Sequence, residues 1–83
     1  MTFEEMMARV LKTIEEREAS YGDPDAMFAE ITSRWGTCRF DVALKMTDLK
    51  IARMTLGVPD DDCFIDAIAY LLFAWRFYVL DKD

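Results

Sequence analysis

From Phe64 to Leu80 the chain is apolar around nearly the whole circumference a helix would present, yet Asp66 and Arg76 lie inside the segment. A charge withdrawn from water needs a partner or a task. Because steps of three and four residues return to the same helical face, Asp62, Asp66, Ala69, Phe73 and Arg76 fall on one stripe. That stripe sets two carboxylates where an ordinary core would set aliphatic groups. Upstream, Lys50 and Arg53 stand about one turn apart on a second predicted helix and offer the counter-charges. The four side chains form the leading candidate site.

Eighty-three residues are read as one domain spanning 1–83, since a chain of this size buries only roughly 60–65% of its unfolded surface and does not support two cores. With 53% hydrophobic residues and a formal charge of −6, the chain reads as folded and soluble. Its small core makes self-association, and hence a homo-oligomer, the expectation. Sixteen carboxylates against ten bases argue against direct nucleic-acid binding, which gains affinity by neutralising phosphates. The absence of histidine removes a Ser-His or Cys-His nucleophile pair, a His-ligated zinc site and a histidine pH switch. Cys38 and Cys63 have no metal-ligand spacing and read as free thiols of a reduced compartment. The apolar C-terminal segment lies at the lower limit of a membrane span and carries two charges, so a buried or interfacial helix is expected and no membrane association. The N-terminus opens on an acidic amphipathic pattern, without a basic-then-apolar leader. The expected location is the cytoplasm of a bacterium or of an infected bacterial host.

Apolar spacing and punctuation predict four helices. The first covers about Phe3 to Ala19, with Thr2 and Glu5 in capping-box spacing and Phe3, Met6, Met7, Val10, Leu11 and Ile14 on one apolar stripe. Gly22 suits a positive φ, and Asp23 before Pro24 provides an N-cap with proline at the first helical position. The second helix, about Pro24 to Trp35, offers Met27, Phe28, Ile31 and Trp35 to the core. The third, Asp41 to Leu56, is stopped by Gly57 and Pro59 and buries Val42, Met46, Leu49 and Leu56, with Arg53 on that face and Lys50 at its border. Asp60, Asp61 and Asp62 supply an N-cap and first-turn charge for the fourth. The fold class is all-α, a single bundle of four helices with the apolar C-terminal helix central or at an oligomer interface. Phe, Ile, Tyr and Val in residues 64–80 also suit a strand.

Asp62 and Asp66 have the spacing for two carboxylates to reach one divalent cation, and oxygen ligands select magnesium, manganese or calcium. The structural alternative is a helix cap at Asp62 and an ion pair between Asp66 and Arg53. Lys50 and Arg53 suit a phosphate, as a point charge and a planar fork, with a snorkelling lysine and a structural arginine as the alternative. Arg17 and Tyr21, at the end of the first helix, would form another edge of the same pocket or stitch the corner before Asp23. Trp35, Trp75, Phe73, Phe77 and Tyr78 read as packing, or as an interface if exposed.

Glu16-Arg17, Tyr21-Gly22-Asp23-Pro24, Phe28-x-x-Ile31, Trp35, Asp41-Val42-Ala43-Leu44-Lys45-Met46, Leu49-Lys50-Ile51-Ala52-Arg53 and Asp62-x-x-x-Asp66-x-x-x-Tyr70 resemble a family of small phage and prophage proteins of unknown function. That family is similar to the nucleotide-modification-associated domain and, distantly, to MazG-like all-α nucleotide pyrophosphohydrolases. The resemblance implies a helical fold and a link to nucleotides, with Lys50, Arg53, Asp62 and Asp66 matching the recurring polar pattern and magnesium or manganese as the implied cofactor. The chain departs from the MazG-like metal motifs: Glu15-Glu16 lack the third glutamate, and Cys63 stands three positions before Asp66 where the pattern asks for glutamate.

The sequence thus points to a phage-type accessory protein that holds a nucleotide or other phosphorylated small molecule through Lys50, Arg53, Arg17 and Tyr21, with Asp62 and Asp66 toward a metal, and without robust hydrolase activity. Were it catalytic, it would be a metal-dependent nucleotide pyrophosphohydrolase. The alternative is a small acidic phage-encoded protein that binds and inhibits a host enzyme or antiviral defence complex.

Overall fold

The computed structural model describes residues 1–82. Four helices follow in order: α1 (Phe3–Tyr21), α2 (Pro24–Trp35), α3 (Arg39–Leu56) and α4 (Asp61–Asp81). No strand occurs among the described residues, so residues 64–80 are helical despite their strand-compatible composition. The helix ends obey the local chemistry of the sequence. Thr2 Oγ1 accepts the Glu5 N–H at 3.1 Å and its hydroxyl lies 3.1 Å from the Glu5 carboxylate. The Asp23 side chain accepts from the Asp25 N–H at 3.0 Å, and Asp60 from the Cys63 N–H at 2.9 Å. Gly22 and Gly36 take φ of +89° and +66°, the left-handed side that lets each chain turn out of its helix. Two ends run further than their sequence signals: α1 continues through Ser20 and Tyr21, and α3 begins at Arg39 instead of Asp41.

Helices α3 and α4 form an antiparallel hairpin, with Arg39 against Asp81 at one end and Lys50 against Asp66 further along. Its packing depends on small residues. Ala43 and Ala74 are both fully buried and share a cluster with Phe28, Val42 and Phe77, so the two backbones approach closely. Phe28 of α2 is the keystone of this cluster, with its ring 5.0 Å from Phe77 and 5.3 Å from Phe73. Helix α1 lies across the other flank of α4, where Val10 packs with Ile65 and Ala69. The pairs Arg9–Asp61 and Arg17–Asp66 advance together along both helices, so α1 and α4 run in the same sense.

Several large apolar residues expected inside lie outside. On α1 only Val10 is fully buried, while Phe3, Met6, Met7 and Leu11 are exposed, Phe3 at 86%. Met27, Trp35, Leu49 and Leu56 are exposed as well. On α3 the buried stripe runs through Ala43, Thr47 and the half-buried Lys50 and Met54, a spacing of four, three and four. Close approach to α4 selects the small side of the helix, which rotates Leu49, Arg53 and Leu56 outward. Helix α4 is long and apolar enough to cross a membrane by length and composition alone, with mean hydropathy 1.6 over its best window and one-third of that window buried in the bundle.

Candidate functional site

Asp66 stands on α4 between the flank that receives α1 and the flank that receives α3, and its side chain is only 13% exposed. Each carboxylate oxygen meets a different cation. Arg17, one turn beyond the core residue Ile14 on α1, donates from Nη2 to Oδ1. Lys50, on the inner stripe of α3, places Nζ 3.2 Å from Oδ2. Lys50 is itself only 15% exposed and Arg17 is 43% exposed, so the lysine forms the floor of the cluster and the arginine its solvent side. One carboxylate cannot neutralise two cations, and the triad retains a surplus positive charge within a chain of formal charge −6.

The triad opens onto a cavity of about 340 Å³ at the meeting of α1, α3, α4 and the α1–α2 corner. Its apolar wall includes Met27, Ala69 and Phe73, and Tyr70 and Tyr21 bring hydroxyl-bearing rings. Tyr21 is 85% exposed at the rim, held there by the last turn of α1 before Gly22 turns the chain. Glu18 adds a carboxylate on the same edge. The arrangement combines anchored cations with an aromatic wall, which suits a ligand with a compact anionic end and a flat or apolar body.

Of the residues singled out in the sequence, Lys50, Arg17, Tyr21 and Asp66 converge here. Arg53 does not. It lies exposed on α3; of the two counter-charges offered to Asp66, Lys50 meets it and Arg53 does not, and Arg17 takes the other oxygen. The buried side of α3 is turned toward Lys50, leaving Arg53 in solvent. Asp62 is also exposed, one turn before Asp66 and in the first turn of α4, while Asp60 makes the capping hydrogen bond. Both oxygens of Asp66 already face cations, and among the described residues no group of three or more acidic or cysteine side chains is placed to hold a metal ion. Asp62 and Asp66, the two carboxylates named for the magnesium or manganese implied by the family resemblance, thus stand one turn apart, with Asp66 held by Arg17 and Lys50. Arg76 pairs instead with Asp25 at 2.6 Å and lies beside Phe73 and Phe77.

The perturbed ionisations lie away from the cavity. A hydrogen bond from the Thr37 hydroxyl, reinforced by Lys45, holds Asp41 below the usual carboxylate range. The Cys63 backbone N–H does the same for the cap residue Asp60. Arg39 lowers Asp81 by hydrogen bonding, and Asp81 raises Arg39 in return. Sequence reasoning missed the part played by the small residues Ala43 and Thr47. Their four-residue spacing, continued by Lys50 and Met54, was the signal for the true inner face.

The sequence profile of the Domain of unknown function (DUF6378) matches residues 5–77, and the chain belongs to that family. No curated protein and no solved structure matches it.

Proposed function

We propose that this DUF6378 chain binds a nucleotide or another phosphorylated small molecule in the cavity at the α1–α3–α4 junction, as an accessory protein of phage type without robust hydrolase activity. The observation that carries the reading is the pairing of two cations, Arg17 and Lys50, with the single carboxylate of Asp66 on the wall of an aromatic-lined cavity. Arg17 has further N–H groups to offer a phosphate in its planar fork, and Lys50 has ammonium protons beyond the one aimed at Asp66. The flat body of the ligand would lie against Phe73, Met27 and Tyr21, with Glu18 accepting from a hydroxyl or amino group. A volume of about 340 Å³ is at the small end of ligand pockets, which span about 300–1,000 Å³, and suits a mononucleotide better than a dinucleotide.

The test is titration calorimetry with nucleoside monophosphates and diphosphates, with the parent nucleosides and inorganic phosphate as controls. Saturable binding is expected, weakened at least tenfold in Arg17→Met and lost in part in Tyr21→Ala, whose exposed ring contributes little to folding. Heats that do not saturate with any phosphorylated compound would overturn the proposal. A second reading, inhibition of a host enzyme or defence complex, draws on the acidic charge and on exposed Trp35. In that case Asp66 and its two cations serve only the fold.

A further inference from the structure

Phe64, Ile68, Leu71, Trp75 and Tyr78 are all exposed, Trp75 at 65%. Their spacing is four, three, four and three, the heptad pattern of a helix seam that normally faces another helix. No charged residue interrupts the seam, although the chain is rich in charge. None of its residues lines the cavity described above. Side chains of this size carry about 150–250 Å² each, and the exposed fractions of the five seam residues amount to roughly 500 Å² of apolar surface. Two copies of the seam bring together roughly 1,000 Å² of apolar surface, about the total at which a specific interface begins.

We infer that this seam is the interface of a two-fold homodimer in which α4 pairs antiparallel with α4 of a second copy. The uninterrupted heptad spacing calls for a partner helix, and symmetry and charge select the second copy and its direction. With the dyad between Ala69 and Tyr70, Phe64 of one copy meets Trp75 of the other and Ile68 meets Leu71. Each of these layers recurs on the other side of the axis, so the four central residues complement themselves, and Tyr78 falls opposite Asp61 at each end. Aromatic layers flank an aliphatic centre. A parallel pair would bring together the two Asp60-Asp61-Asp62 clusters at the helix starts. The antiparallel pair separates them and opposes the two helix dipoles. The dimer leaves the cavity open and does not depend on its ligand.

Sedimentation equilibrium of the full chain at micromolar concentration tests the inference, with helicity recorded on the same samples. The expected mass is twice 9.7 kDa. Ile68→Lys and Leu71→Glu, each alone, should shift the equilibrium toward a helical monomer. Mixing these two variants should restore a dimer, because the antiparallel layers place the introduced lysine of one copy against the introduced glutamate of the other. A monomeric wild-type chain would overturn the inference and assign the seam to a different protein. A dimer unaffected by either substitution would overturn the choice of surface, and failure of the mixture to re-form would overturn the antiparallel register. Should either variant fail to fold, the Trp75→Ser chain supplies the same dissociation test from an exposed position.

Discussion

Lys50 Nζ lies 3.2 Å from Asp66 Oδ2 across the α3–α4 hairpin, with both side chains largely withdrawn from solvent. Arg17 closes the other side of the same carboxylate. The α3–α4 hairpin and the sequence-distant α1 are therefore tied at one point on the wall of the cavity. Removing Asp66 would leave Lys50 enclosed without its counter-charge, whereas Arg17 can turn to water. Asp66→Asn should destabilise the fold by about 3 kcal/mol, the lower end of the range for breaking a buried pair. The double variant Lys50→Met with Asp66→Leu should recover to within about 1 kcal/mol of wild type. Urea unfolding of these variants beside the wild-type chain measures both values.

Arg53 supplies the contrast. It is exposed, and the carbonyl that receives the Gly57 N–H at 3.1 Å belongs to its backbone. Arg53→Met should therefore change stability by no more than about 0.5 kcal/mol and leave ligand titrations unaltered. The urea midpoint and the calorimetric affinity provide the check.

Phe28 is fully buried and touches the rings of Phe73 and Phe77. Its truncation would leave a cavity between α2 and the hairpin, because the fully buried Ala43 and Ala74 have too little side chain to fill the space. Phe28→Ala should cost about 3–5 kcal/mol, enough to unfold much of a small domain. Loss of cooperative thermal unfolding by circular dichroism would register it.

Acid should weaken the fold in a defined window. Asp41, Asp60 and Asp81 have depressed ionisation in the folded chain through Thr37, the Cys63 N–H and Arg39 respectively. A carboxylate that releases its proton more readily when folded contributes stability above its unfolded pKa of about 4. That contribution disappears as pH falls through the lower folded value. The urea midpoint should be level between about pH 5 and 7 and decline below about pH 4, with a shallower decline in Asp81→Asn. A midpoint that rises on acidification would contradict these assignments.

The sequence by itself determined the helix count and most boundaries, because these rest on local chemistry. Thr2, Asp23 and Asp60 cap the first turns with their own side chains, and Gly22 and Gly36 supply the φ that ends a helix. It also marked Asp66 as a charge in need of partners and named Lys50, Arg17 and Tyr21 near the same pocket. Only the tertiary structure decided which cations answer Asp66 and which apolar residues are covered. Periodicity assigns a residue to a helical face within some tens of degrees, and Lys50 and Arg53 are separated by less than one turn. Their fates diverged because α3 and α4 pack through Ala43 and Ala74, and close approach of two backbones turned α3 until Lys50 faced inward and Arg53 faced water.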